Sequence, residues 1–152
     1  MAKVIMTVDI AYSDVFSFCQ SRSAYDSREP DPKSGQVNYL HAHITEQDRT
    51  LIDSYSEQAA QTIISLVGGK MLSVVFDADK VQFLTVPLDS NRSNISSVGD
   101  MLKTALEHYV LHLWYIMRLP TIADSYSASA TAICVAVAKI LHTKNKPVLS
   151  NY

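Results

Sequence analysis

The residues with the best claim to chemistry are His108 and His112. Four residues apart on a helix, two imidazoles share one face, and pairs at that spacing ligate zinc. Glu107 does not lie between them, so the order of the zinc-protease motif is absent. His41 and His43 form a His-x-His that would also point one way along a strand and could complete a site. No third ligand is anchored to a motif, and the plainer reading of the helix pair is two histidines beside a buried face, bonded to backbone or neighbours. No metal, cofactor-binding or catalytic residue is therefore assigned.

The other candidates are weaker still. Cys19 and Cys134 each fall on the apolar side of a helix, where a thiol usually packs. Far apart and in no shared motif, they fit a reducing compartment better than a disulfide framework. There is no Gly-x-Ser-x-Gly, and the four glycines leave no phosphate loop, since Gly68-Gly69 follows a helix instead of preceding one. Asp77 and Asp79 flank a turn and read as a solvated hairpin tip. Tyr109, Trp114, Tyr115 and Tyr126 stand at helical spacing and read as core or interface.

The elements that would carry these residues follow from periodicity. Ile10 to Tyr25 reads as a helix, with Val15, Phe18, Cys19 and Arg22 on one stripe and Asp9 as its cap, while Lys3 to Asp9 carries only a faint strand signal. Residues 26–44, which begin DSREPDPKS, are expected to be a long mobile loop. Thr45 caps a second helix whose stripe is Leu51, Tyr55, Ala59, Thr62, Ile63 and Leu66, and glycine at 68 and 69 stops it. Two β-prone runs within 71–86 form a hairpin, closed by Pro87, and a polar loop spans Ser90 to Asn94. A third helix from Ser96 carries Val98, Leu102, Ala105, Tyr109, Leu113 and Ile116, and its end, YVLHLWYIM, is apolar nearly all round. It breaks at Leu119-Pro120. Thr121 caps a fourth helix with Tyr126, Ala130, Ile133, Val137, Ile140 and Leu141 on one stripe, and Ala128, Ala132 and Ala136 as a small ridge for close approach of another helix. Residues 145–152 form a tail.

The expectation is one mainly α domain over 1–152, a four-helix bundle-like unit with one β-hairpin inserted between the second and third helices, and at least half its residues helical. Its 47% apolar content supports a real core, while 18% charged residues is low for a soluble domain, so the chain either covers its surface with Ser, Thr, Asn and Tyr or hides part of it against partners. A formal net charge of −2, with 13 scattered basic residues, encodes no general attraction to nucleic acid or anionic membrane. The N-terminus lacks the pattern of a signal peptide. The densest apolar run, Tyr109 to Met117, is about half the length that spans a bilayer, so no transmembrane segment is expected.

The order of elements resembles a known family. DVFSFCQSRSAY, a Pro-containing loop, EQDRTLIDSYSEQAAQTIISL, a hairpin, MLKTALEHYVLHLWYIM ending at Leu119-Pro120, and a last helix running into HTKNKP are together similar to the head–tail connector (adaptor or neck) proteins of tailed bacteriophages and prophages. The resemblance covers most of the chain and rests on the order and character of its elements. It implies a homo-oligomeric ring, twelve-fold in that family, with no enzymatic activity. The ring would sit at the head–tail junction of the virion between portal protein and tail or neck proteins, pass DNA through its lumen without reading its sequence, and be made in the bacterial host cytoplasm. The competing readings are a tail-completion or terminator protein of the same particle, and a bacterial helical metal-binding protein that uses His108 and His112.

Overall fold

The computed structural model describes residues 6–26, 42–68, 72–86 and 97–142. Strand β1 (Met6–Ala11) leads directly into helix α1 (Tyr12–Asp26). A 3-10 turn (Glu46–Asp48) opens helix α2 (Arg49–Val67). Strands β2 (Leu72–Phe76) and β3 (Lys80–Thr85) follow, then α3 (Val98–Tyr115) and α4 (Pro120–His142).

The expected four-helix bundle with a lone inserted hairpin is not the architecture adopted. The strands form a three-stranded antiparallel sheet in the order β1-β3-β2. The N-terminal segment supplies an edge strand, pairing Met6 with Thr85 through to Ala11 with Lys80. The reason is alternation: Met6, Val8 and Ile10 turn inward while Thr7 and Asp9 stay exposed, which is the period of a half-buried strand. Asp9 is accordingly no helix cap. Its carboxylate accepts a hydrogen bond from Gln82 Nε2 at 2.8 Å and pairs with Lys80 at 3.5 Å, both across the sheet. Central β3 buries Val81, Phe83 and Thr85, and β2 buries Leu72 opposite Thr85. The Asp77–Asp79 turn is exposed at its side chains, yet the Asp79 carbonyl accepts the Tyr12 N–H at 3.0 Å, so the hairpin tip secures the start of α1.

Helix α2 begins as Thr45 suggests, with Asp48 Oδ2 accepting the Thr45 N–H at 2.8 Å. Its buried stripe is Ile52, Ser56, Ala59, Ala60, Ile63 and Val67, rotated from the expected one, and Leu51, Thr62 and Leu66 are exposed. At its end Gly68 takes φ 102, and a Cβ there would approach the His142 ring to 3.4 Å. That ring hydrogen-bonds the Val67 carbonyl at 2.9 Å, satisfying an acceptor that the helix itself leaves open.

Helices α3 and α4 form an antiparallel hairpin. Pro120 is the first residue of α4, a position where its missing N–H costs nothing, so Thr121 lies inside the helix instead of capping it. Leu102, Ala105, Leu106, Val110, Leu111 and Tyr115 of α3 are fully buried, whereas Leu113 is half-buried and Ile116 is exposed. The small ridge of α4 faces away from this packing: Ala128 and Ala132 are exposed, and Ala130, Cys134 and Val137 meet the core. Over its 23 residues α4 is long and apolar enough, by length and composition, to cross a membrane. It passes that test where the denser run Tyr109 to Met117 does not, because its apolar residues extend along its whole length.

Of the expected mobile loop 26–44, residues 27–41 lie outside the described residues, as do 143–152, the Ser90–Asn94 loop and His41. The described ends of that loop are docked. Asp26 is the buried last residue of α1, and Ala42 and Ile44 are fully buried. Trp114 Nε1 donates to the Ala42 carbonyl at 2.8 Å, and the Ile44 N–H donates to Ser23 Oγ at 2.9 Å.

Candidate functional site: the faces of α3

Both sequence-nominated histidines project from α3 toward α4, and each is held there separately. His108 Nδ1 lies 2.9 Å from Ser129 Oγ, and the ring stacks near Phe18 and meets Tyr126 edge-on. Burial, with the nearby Arg22 charge, lowers its pKa and favours the neutral ring. His112 Nδ1 lies 2.9 Å from the Ala123 carbonyl. A carbonyl can only accept, so that nitrogen carries the proton and Nε2 of the neutral ring keeps a lone pair. The two imidazoles thus use their Nδ1 atoms as links between helices. Among the described residues no group of three or more His, Cys, Asp or Glu side chains is placed to hold a metal ion. His43 is exposed.

His112 lines a cleft of about 330 Å³ between α2, α3 and α4, together with Leu66, Tyr109, Leu113, Ser127 and Thr131. The Tyr109 and Thr131 hydroxyls bond each other at 2.8 Å. This wall offers one aromatic nitrogen acceptor and several hydroxyls, with no carboxylate or ammonium. It has no activated nucleophile, because no base within hydrogen-bond reach serves Ser127 or Thr131 among the described residues.

The side of α3 facing α1 holds a polar cluster that the sequence did not announce. Asp26 Oδ2 accepts hydrogen bonds from Tyr126 Oη at 2.6 Å and from Tyr115 Oη at 3.0 Å. Arg22 Nε donates to Tyr126 Oη at 2.8 Å and lies 3.6 Å from Asp26 Oδ1. Burial, reinforced by the Asp26 carboxylate, pushes both tyrosines well above the usual phenol range, so they remain protonated donors. Asp26 ends α1, where the helix dipole disfavours a negative charge. The phenols and Arg22 compensate for that, and they clamp α1 to α3 and α4.

Two turns before Tyr115 on α3, Glu107 is only 6% exposed. Burial raises its carboxyl to about 7, with Lys103 opposing and Asp14 adding to the shift. Its backbone carbonyl accepts a weak bond from Cys19 Sγ at 3.8 Å. Both cysteines are buried free thiols, Cys19 far above the usual thiol range and Cys134 raised to about 11, each through burial, so neither is poised as a nucleophile. The signals for this cluster are faint in sequence: tyrosines and a glutamate at core positions of their helices, each needing a partner for its polar tip. No protein-family model matches the chain, and neither a curated protein nor a solved structure does.

Proposed function

We propose that this chain is a structural subunit that assembles with copies of itself, in the manner of a phage head–tail connector ring lying between portal and tail and surrounding the passing DNA. The observation that supports this best is where its polar side chains are used. His108, His112, Tyr109, Tyr115, Tyr126, Arg22 and Asp26 all bond other parts of the chain, as parts of a scaffold do. The surface in turn presents large apolar side chains, with Met117 86% exposed at the α3–α4 corner and Leu66, Ile116 and Val135 about half exposed. Such side chains suit packing against neighbouring subunits. The choice of a connector among structural subunits rests on the resemblance in element order alone.

The test is the native mass of the full chain by light scattering, with negative-stain microscopy, alone and mixed with a candidate portal protein. Closed rings of about a dozen subunits, the number that the resemblance implies, are the expected result. A chain that stays monomeric under both conditions overturns the proposal. Stoichiometric zinc, lost from the His108→Ala/His112→Ala protein, would favour the metal-binding reading in its place.

A further inference from the structure

Helices α2, α3 and α4 leave a cleft of about 330 Å³ that their packing does not fill. Short side chains leave it open: Ala59 on α2, and Ser127 and Thr131 on α4, face Tyr109 and His112 of α3 across it. Leu66 and Leu113 complete an apolar wall. Leu66 is 45% exposed, so part of that wall stands in water.

The polar groups of the cleft are few, and they offer opposite hydrogen-bonding senses. The Ala123 carbonyl accepts from His112 Nδ1 at 2.9 Å, which fixes the tautomer of the neutral ring and makes Nε2 an acceptor. Among the described residues Nε2 has no hydrogen-bond partner, and the one buried side-chain atom left unsatisfied is Asp53 Oδ1. His112 Nε2 is therefore reached by solvent, through the cleft that its ring lines. The Tyr109 and Thr131 hydroxyls bond each other at 2.8 Å. That bond uses one hydroxyl hydrogen, and the other remains to donate whichever way the bond runs. Tyr109 and His112 are three apart on α3 and so share a face. No Asp, Glu, Lys or Arg lines the cleft among the described residues.

We propose that this cleft binds a small, neutral, ring-bearing alcohol or phenol, whose hydroxyl donates to His112 Nε2 and accepts from the Tyr109–Thr131 pair while its hydrocarbon body lies against Leu66, Leu113 and Ala59. A hydroxyl does both through one atom. A carboxylate has no hydrogen for Nε2 and would lose water without gaining a cation. An ammonium has no lone pair for the hydroxyl pair and would meet no carboxylate. The volume is the liquid share of about eleven waters, which suits a bicyclic aromatic alcohol of about that many non-hydrogen atoms. The site lies within one chain and does not rest on the chain's assembly.

The probe is 2-naphthol, titrated calorimetrically near pH 8 into the full chain in the assembly state that its native mass shows. One site per chain with a Kd of about 1 mM or tighter is the expected result. 2-Naphthoate, the same rings with a carboxylate, should bind at least about tenfold more weakly. His112→Phe keeps a ring, removes the acceptor, and should weaken 2-naphthol about tenfold while narrowing its preference over 2-naphthoate. That variant also loses a link between α3 and α4, so a second one spares the core. Thr62 is exposed where it lines the cleft, and Thr62→Trp should abolish 2-naphthol binding with melting unchanged. Absence of saturable 2-naphthol binding up to its solubility limit overturns the site. So does 2-naphthoate binding as tightly as 2-naphthol, or 2-naphthol binding unchanged by Thr62→Trp. A chain that forms no rings leaves these results standing, and a failed titration leaves the assembly reading untouched.

Discussion

Removing the Tyr115 hydroxyl tests whether the Asp26 cluster is a single cooperative clamp. Tyr115→Phe keeps the ring, its stacking on Tyr126 at 5.8 Å and its full burial, and deletes one donor 3.0 Å from Asp26 Oδ2. A hydrogen bond to a charged acceptor contributes about 1.5–3 kcal/mol, and the low exposure of this site argues for the upper half of that range. Tyr126→Phe deletes the 2.6 Å bond and also the acceptor of Arg22 Nε, but Arg22 is exposed and can turn to water, so its cost is similar. The double variant differs in kind. Oδ2 then has no donor in a buried corner, and its charge sits at a helix C-terminus. The double loss should therefore exceed the sum of the singles by about 1 kcal/mol or more. Asp26→Asn is the control. One amide oxygen can still accept from both phenols, so it should cost less than the double variant. Urea unfolding of the four proteins, with a common slope, gives the cycle. Singles each below about 0.5 kcal/mol, a size usual for surface changes, with an additive double, would refute the clamp and leave α1 held by apolar packing alone.

Other outcomes follow from the same packing. Leu106→Ala, at a fully buried position on α3, should cost about 2–5 kcal/mol in urea unfolding through the cavity it leaves. Ala130→Leu should overpack the α3–α4 contact by about 1–3 kcal/mol, whereas Ala132→Leu on the exposed side should leave melting within about 0.5 kcal/mol. His108→Ala/His112→Ala should leave metal content by elemental analysis unchanged while lowering the melting temperature, since each ring joins α3 to α4. Glu107 gives a pH dependence: its raised carboxyl makes the fold most stable below about pH 4.5 as regards this group, and that stability is lost by about pH 7, to a limit near 3 kcal/mol, in the wild type but not in Glu107→Gln. Urea midpoints at pH 5 and pH 8 check this.

The helices were legible because their signals are local. Thr45 with Asp48, Gly68 at the end of α2 and Leu119-Pro120 between α3 and α4 each act through neighbours within four residues. The sheet was half legible. The β2–β3 pairing is closed by a short turn, and turn chemistry shows in a sequence. The pairing of β1 with β3 joins Met6 to Thr85, 79 residues apart, and nothing near Met6 announces its partner. The alternation of Met6, Val8 and Ile10 was present, but Ile10 also fits the start of a helical stripe, and over so few residues period two and period 3.6 compete. The rotation of the α2 stripe has a similar origin. Leu51 and Leu66 are more apolar than Ser56 and Ala60, yet the smaller pair faces the core, because what decides the inward face is which side chains leave room for α3 and α4 to approach.

The histidine pair follows the same rule, and the plainer reading of it describes where the rings lie. Histidines four apart draw attention as a pair, but a pair on one face is also what two bridges to a neighbouring antiparallel helix require, and α4 presents Ser129 to the first and the Ala123 carbonyl to the second. The buried carboxylates beside α1 and α3 are single: Asp26 at a helix end and Glu107 on a buried stripe. A lone carboxylate has no spacing to detect, and its significance appears only when a second helix covers it. Asp26 is covered by phenols that donate to it, and Glu107 by a thiol and the like charge of Asp14. Two carboxylates beside α1 thus have opposite surroundings: donors converge on the first, and the second meets burial and a like charge.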